Sequence, residues 1–199
     1  MDKIRNVVFD MGNVLLDFQP DFSLNKYCAD GEEKALIRRE LFEGPEWEQG
    51  DMGLIRDEDR FDLIKGRVPQ EHWQALSDCA YKWHECMVPL PGAEEFCDYL
   101  RGQGYHLYLL SNASTAFYDY YRRFRPFGYF DGLVVSADIH LLKPDVEIYQ
   151  YLLKKYDLAA GECLFIDDRL DNVEGARAAG LQAVQFRGSY DQIKAQFQL

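Results

Sequence analysis

The sequence predicts an α/β fold: a doubly wound parallel sheet covered by helices on both faces, with a small all-helical cap inserted after the first strand. Three observations carry this. From residue 105 onward, apolar runs of strand length alternate with segments of helical spacing, the pattern of right-handed βαβ crossovers. Ile4 to Leu16 opens with an apolar run that stops at Asp10 and turns through Gly12, which reads as a buried strand ending in a carboxylate. Residues 21 to 88 lie between these two regions and hold helical spacing with no credible strand.

Taken in order, the first strand leads to Asp17–Pro20, read as the exit from the sheet. Gly31 to Phe42 has acids early and arginines late, in the sense that suits a helix dipole. Asp57 to Ile64 opens with acids as a helix N-terminus does. Pro69 starts a longer helix whose Trp73, Leu76, Ala80, Trp83 and Met87 recur three and four apart, a packing stripe rather than a cofactor box. Three or four helices are thus expected in the insert. Val88-Pro-Leu-Pro-Gly92 forms a stiff return, and Pro91 suits the first turn of a helix running through Phe96 and Leu100 to Gly102 or Gly104. The expected division is 1–16 and 91–199 for a Rossmann-like core and 17–90 for the cap. Strands follow at Tyr105–Leu110, Gly132–Ser136, Glu162–Ile166 and Gln182–Phe186, with helices over about 114–124, 144–156, 172–179 and 190–197. The aromatic and basic cluster from Tyr118 to Arg125 reads as a surface helix or protein contact rather than a substrate pocket.

With 199 residues, 47% of them hydrophobic, the chain can bury an ample core. Its 22 Lys and Arg against 34 Asp and Glu give a net charge of −12, which argues against nucleic acid or an anionic membrane as partner. A small anionic ligand would then need local positive charge, and a divalent cation is a natural supplier. No apolar run approaches a membrane span and no signal peptide precedes the first strand, so a cytoplasmic location is expected. Cys28, Cys79, Cys86, Cys97 and Cys163 are odd in number, scattered and free of any Cys-x-x-Cys pair, and read as reduced packing residues. The four histidines lack metal-ligand spacing.

Chemistry concentrates where the apolar runs stop. The first run ends at Asp10, the second at Ser111-Asn112, Leu142-Lys143-Pro144 precedes a helix, and Leu164-Phe-Ile ends at Asp167-Asp168. In open α/β sheets ligands bind outside the carboxyl ends of the strands, so these positions converge. The series Asp10, Ser111, Lys143, Asp167-Asp168 resembles the four motifs of the haloacid dehalogenase-like hydrolases, over the chain from Asp10 to about Gly180 apart from the insert. The resemblance implies a Rossmann-like catalytic core, a lid-like cap and phosphoryl transfer to a carboxylate nucleophile, Asp10. It implies Mg²⁺ held by Asp10, the main-chain oxygen of Gly12 and Asp168, with Asp167 holding a water of the ion. Ser111 and the amide of Asn112 would bind phosphate oxygens, and Lys143 would pair with both phosphate and Asp10.

Dehalogenases of the superfamily need no metal and usually replace the paired acids, so Asp167-Asp168 argues for a phosphatase. Phe9 to Val14 together with Glu48-x-Gly50-x-Met-Gly53-x-Ile55 is similar to bacterial glucose-1-phosphate phosphatases and the phosphatase domain of soluble epoxide hydrolases. The expected function is Mg²⁺-dependent hydrolysis of a small phosphomonoester, with a sugar phosphate favoured. A 2-haloacid dehalogenase and a catalytically silent phosphate-binding regulatory protein are the alternatives, and the oligomeric state is left open. One departure matters. Superfamily phosphatases usually carry a second aspartate two residues after the nucleophile as general acid and base, and Gly12 stands there. Asp51 or Glu48 of the cap could stand in.

Overall fold

The computed structural model describes residues 3–199, so Met1 and Asp2 of the expected core segment lie outside the described residues. The chain opens with β1 (Asn6–Phe9) and β2 (Leu16–Asp17). The insert follows as α1 (Pro20–Tyr27), α2 (Gly31–Ile37), α3 (Pro45–Asp51), α4 (Arg60–Ile64) and α5 (Trp73–Lys82), and returns through β3 (Val88–Pro89). Next come α6 (Ala93–Gly102), β4 (His106–Ser111), α7 (Phe117–Tyr120), β5 (Gly132–Val135), α8 (Ser136–Ile139) and α9 (Val146–Lys155). The chain closes with β6 (Cys163–Asp167), α10 (Leu170–Ala178), β7 (Gln182–Gln185) and α11 (Tyr190–Phe197).

Five strands form a parallel sheet in the order β5-β4-β1-β6-β7. Successive side chains of a strand point to opposite faces, and the core follows that rule. Val7, Phe9, Leu107, Leu109, Leu164 and Ile166 pack on one face with Phe96 and Leu100 of α6 and Ile193 of α11. Val8, Tyr108, Leu110, Phe165 and Ala183 pack on the other with Ile148 and Leu152 of α9 and Val173 of α10. From central β1 the chain winds one way through β4 to β5 and the other way through β6 to β7, which opens a crevice at the carboxyl ends of the middle strands. Asp10, Ser111 and Asp167 sit at that rim.

The insert has a buried cluster of its own, with Leu24, Ile37, Leu41, Ile64, Leu76 and Cys79 drawn from facing helices. Cys28, Cys79, Cys97 and Cys163 are buried free thiols. No helix among the described residues is long and apolar enough to cross a membrane.

Several elements differ from expectation. The two chain crossings pair as an antiparallel ribbon, Leu16 with Pro89 and Asp17 with Val88, where no strand was expected. Two residues a side are too few for any alternation to register, and the pairing exists because adjacent crossings satisfy each other's backbone groups. Within the insert, α1 and α3 add to the helices read from spacing, each with a proline in its first turn. The helix expected over 31–42 ends as a wider π turn, Arg38–Phe42, closed by the Glu43 N–H on the Arg38 carbonyl. That expected over 114–124 shrinks to α7 and two 3₁₀ turns, Tyr121–Arg123 and Arg125–Tyr129, since Pro126 lacks an N–H and Phe117, Tyr120, Phe124 and Phe127 all turn inward. The reading of this cluster as purely superficial is corrected: Tyr120 is buried and lines the cavity described below. Pro144 precedes α9 instead of opening it. The Asn112 side chain clasps Lys143, accepting from its N–H at 2.9 Å and donating to its carbonyl at 3.0 Å, which holds the segment outside helical geometry. Likewise α6 begins at Ala93 rather than Pro91, after Gly92 at φ 82°.

Candidate active site

Asp10 follows the last residue of β1, and its own N–H donates to the Ile166 carbonyl at 2.9 Å, so the nucleophile candidate is tied to the neighbouring strand β6. Asp167 ends β6 and Ser111 ends β4. Lys143 enters from the α8–α9 loop with 1% of its side chain exposed, and its Nζ lies 2.7 Å from Asp10 Oδ1 and 2.8 Å from Asp167 Oδ2. Burial pulls the lysine pKa down, but the charges of Asp10 and Asp167 outweigh it and hold the ammonium above its ordinary value. Burial raises the Asp10 pKa, and the nearby Asp167 adds to that against the opposing pull of Lys143.

Asp167 is fully buried and its oxygens are well occupied. Oδ1 accepts from the Arg169 N–H at 2.8 Å and from Asn172 Nδ2 at 3.0 Å, while Oδ2 accepts from Lys143 and from the same Asn172 amide at 3.0 Å. Asp168 faces the cavity more openly and accepts from Asn13 Nδ2 at 3.3 Å. Its pKa is raised, first by burial and then by Asp167. Asn13 adopts φ 53°, a left-handed turn that asparagine tolerates, and its Oδ1 accepts the Phe18 N–H at 3.2 Å.

One carboxylate oxygen from each of Asp10, Asp167 and Asp168 falls within 4.8 Å of the others. Three hard anionic donors against one ammonium leave excess negative charge, which a divalent cation such as Mg²⁺ would relieve; the donor set fits that ion. Gly12 lines the same space, and a Cβ added there would meet nothing nearer than Phe18 Cβ at 3.9 Å.

These residues form the floor of a cavity of about 600 Å³, far larger than a phosphate alone requires. Its opposite wall comes mainly from the insert: Phe18, Phe42, Trp47, Trp83 and Met87, with Tyr120 from the core. Phe18 and Trp83 lie 5.5 and 5.1 Å from the Trp47 ring, and Tyr120 lies 5.7 Å from Trp83, in tilted or edge-on contacts. Behind Trp47, the fully buried guanidinium of Arg60 stacks at 4.4 Å. Glu48 and Asp51 are the acids on this wall.

Residues 4–180 match the sequence profile of the haloacid dehalogenase-like hydrolases. The chain belongs to that family. This hydrolase is 27% identical over 189 residues to the sesquiterpene phosphatase astK of Aspergillus oryzae, with 93% of this chain and 91% of that protein covered. It is 26% identical over 185 residues to the phosphorylated carbohydrates phosphatase of Thermotoga maritima, covering 89% and 82% of the two chains. A HAD family enzyme of Bacteroides thetaiotaomicron, solved in complex with magnesium and inorganic phosphate, has the same fold with a TM-score of 0.73 at 20% identity, over 96% of this chain and 98% of that one.

In the hydrolase, every residue singled out from the sequence as a site candidate lines or adjoins one cavity: Asp10, Gly12, Ser111, Asn112, Lys143 and Asp168 line it, and Asp167 stands behind Lys143. Asn13 and Asn172 were missed. The Gly-Asn pair after Asp10 is a turn signal that could have marked Asn13, whereas Asn172 reaches Asp167 only because α10 starts close behind β6.

Proposed function

We propose that this hydrolase is a Mg²⁺-dependent phosphomonoesterase working through an aspartyl-phosphate on Asp10. The observation that carries the reading is Lys143, buried between Asp10 and Asp167 with Asp168 alongside. A lysine so placed opposes the burial that raises the Asp10 pKa, favouring the ionised nucleophile, and presents positive charge to an incoming phosphate. The Asp10 oxygen attacks phosphorus as the bond to the leaving oxygen breaks. Water then attacks the same phosphorus, the acyl-phosphate P–O bond breaks, and inorganic phosphate departs with Asp10 restored. Ser111 and the Asn112 amide, at the end of β4, hold the equatorial oxygens. Asp167 orients Lys143. Mg²⁺, when bound by Asp10, Asp168 and the Gly12 carbonyl, neutralises the phosphate against the nucleophile.

For the leaving group, a sugar phosphate is supported by relatives named for phosphorylated carbohydrates and, at 24% identity over 195 residues, for D-ribitol 5-phosphate in Bacteroides thetaiotaomicron. The wall of Phe18, Phe42, Trp47, Trp83 and Met87 favours a second reading, an apolar leaving group, which the name of the sesquiterpene phosphatase also supports. The test is phosphate release, with Mg²⁺ and with chelator, from sugar 1- and 6-phosphates, D-ribitol 5-phosphate, prenyl monophosphates and aryl phosphates. Mg²⁺-dependent release from at least one class is expected. Chloride release from 2-chloroacids that survives chelation would replace the reading with a dehalogenase, and phosphate binding without any turnover would replace it with a silent binding protein.

A further inference from the structure

Gly12 can offer the site a carbonyl but no proton, so the leaving oxygen lacks the donor that would normally stand two residues after Asp10. We propose that Asp51 of the insert fills this role, protonating the leaving oxygen as the aspartyl-phosphate forms and taking the proton from the attacking water as it breaks down. The proposal rests on the phosphomonoesterase reading above.

Asp51 is the last residue of α3 and lines the cavity whose floor holds Asp10, Ser111 and Lys143. Its position is fixed from three sides. The carboxyl lies beside the backbone of Ser114, which pulls its pKa down and is three residues past Ser111 on the loop that leaves β4. Its carbonyl accepts from Ser136 Oγ at 2.5 Å, and that hydroxyl in turn accepts the Ala113 N–H at 2.9 Å. Two residues on, Gly53 at φ 69° passes so close to the core that a Cβ there would sit 2.2 Å from the Ala137 carbonyl oxygen. The end of α3 is therefore pinned to the loop that would cradle the phosphate, and only glycine permits the approach.

The surroundings suit an acid that keeps a proton at neutral pH. Asp51 faces the Asp57 and Glu48 carboxylates, the Tyr120 phenol and the Arg60 guanidinium, whose Nη1 is paired with Asp57 Oδ1 at 2.6 Å. Burial pushes Asp51 up to about 7, with Arg60 pulling the other way. A donor and acceptor near the working pH is what general acid–base catalysis needs. Glu48, the alternative from the sequence, lines the same cavity but is solvent-exposed. The proton balance closes: Asp51 gives its proton to the departing alkoxide and regains one from water when the acyl-phosphate is cleaved.

The experiment compares Asp51→Asn with wild type, under saturating Mg²⁺, on a simple alkyl phosphate and on 4-nitrophenyl phosphate. Asparagine keeps the size and shape of the side chain, so the fold should hold. A kcat/KM loss of about 10²–10⁴-fold is expected on the alkyl ester, whose alkoxide needs a proton, against less than about tenfold on the nitrophenyl ester, whose phenolate does not. A burst of one nitrophenolate per enzyme should precede slow turnover, since the second step lacks its base. Wild-type kcat/KM on the alkyl ester should fall as pH rises through about 7, where Asp51 loses its proton, and that limb should vanish in the variant. Adding Gly12→Asp to Asp51→Asn should restore alkyl-ester hydrolysis, because the position has room for a side chain. Equal losses on both esters, or an unchanged pH limb, would overturn the assignment and leave Asp51 a positioning residue. A wild type inert toward every ester would instead remove the phosphatase reading beneath it, and that outcome is recognised without any variant.

Discussion

Lys143 stands between Asp10 and Asp167 at 2.7 and 2.8 Å, so each carboxylate is judged by what remains when a neighbour is removed. Asp10→Asn deletes the proposed nucleophile while Lys143 keeps Asp167 as its partner. Turnover should fall by roughly 10⁴-fold or more with little change in thermal unfolding; a folded variant with substantial hydrolysis would clear Asp10 of the role. Asp168→Asn acts on charge balance. The folded pKa of Asp168 is raised, so its contribution to stability is complete below the unfolded value of about 3.9 and is lost as pH rises through the folded value. Metal-free wild type should thus lose more melting temperature across that interval than the variant, in which Asp10 and Asp51 still titrate. Saturating Mg²⁺ should raise the wild-type melting temperature, by binding linkage worth about 2.7 kcal/mol at a hundredfold excess over Kd, and the variant's far less. Equal Mg²⁺ responses would show that Asp168 is not a ligand.

Between α3 and α4 the insert stores a buried cation. Arg60 is fully buried, stacked on Trp47 and paired with Asp57, and a Cβ at Gly50 would lie 2.1 Å from Arg60 Nη2. Removing one partner of such a pair strands the other, which costs about 3–5 kcal/mol, whereas replacing both is often neutral. Arg60→Ala should lower stability to urea by that amount and disorder the Trp47 wall, while Arg60→Met with Asp57→Asn should recover most of the loss. A single variant within 1 kcal/mol of wild type would mean that the guanidinium contributes nothing net. Gly50→Ala, which displaces Arg60 without removing it, should fall between the two.

Across the molecule, the insert and sheet meet at the β2–β3 ribbon, where the Leu90 N–H also donates to the Leu15 carbonyl at 2.9 Å, and at the end of α3, where Asp51 and Gly53 rest on the core. If the insert acts as a lid hinged on this ribbon, it should swing as one body, since neither crossing can move without breaking the other's hydrogen bonds. Amide exchange at residues 16, 17, 88 and 90, and at Ser114, should slow when Mg²⁺ and a metal-fluoride phosphate mimic are added together. Unchanged exchange at all of them would argue that the insert is fixed rather than mobile.

The sequence by itself determined the sheet and its chemistry-bearing rim. Strands such as Val7–Phe9 and Leu164–Ile166 are short, wholly apolar and closed by carboxylates, so local pattern specifies both the element and the end at which its polar residue stands. Asp10, Ser111 and Asp168 were legible for that reason, whereas Lys143, in the loop before α9, was legible only through the resemblance of the four stretches taken in order. What the tertiary structure decided lies in contacts between segments far apart in the chain. Trp83 and Met87 have the spacing of a packing stripe, and nothing in that spacing distinguishes packing on a neighbour from lining a cavity. Tyr120 read as surface because its helix stood far from an obvious strand end, when the α-helix instead stops at Tyr120 and the 3₁₀ turns that follow leave the ring buried. The Asp51 carbonyl meets Ser136 Oγ only once the fold has joined them. Sequence periodicity records which face of an element is apolar, whereas the partner of a polar side chain depends on where the rest of the chain comes to lie.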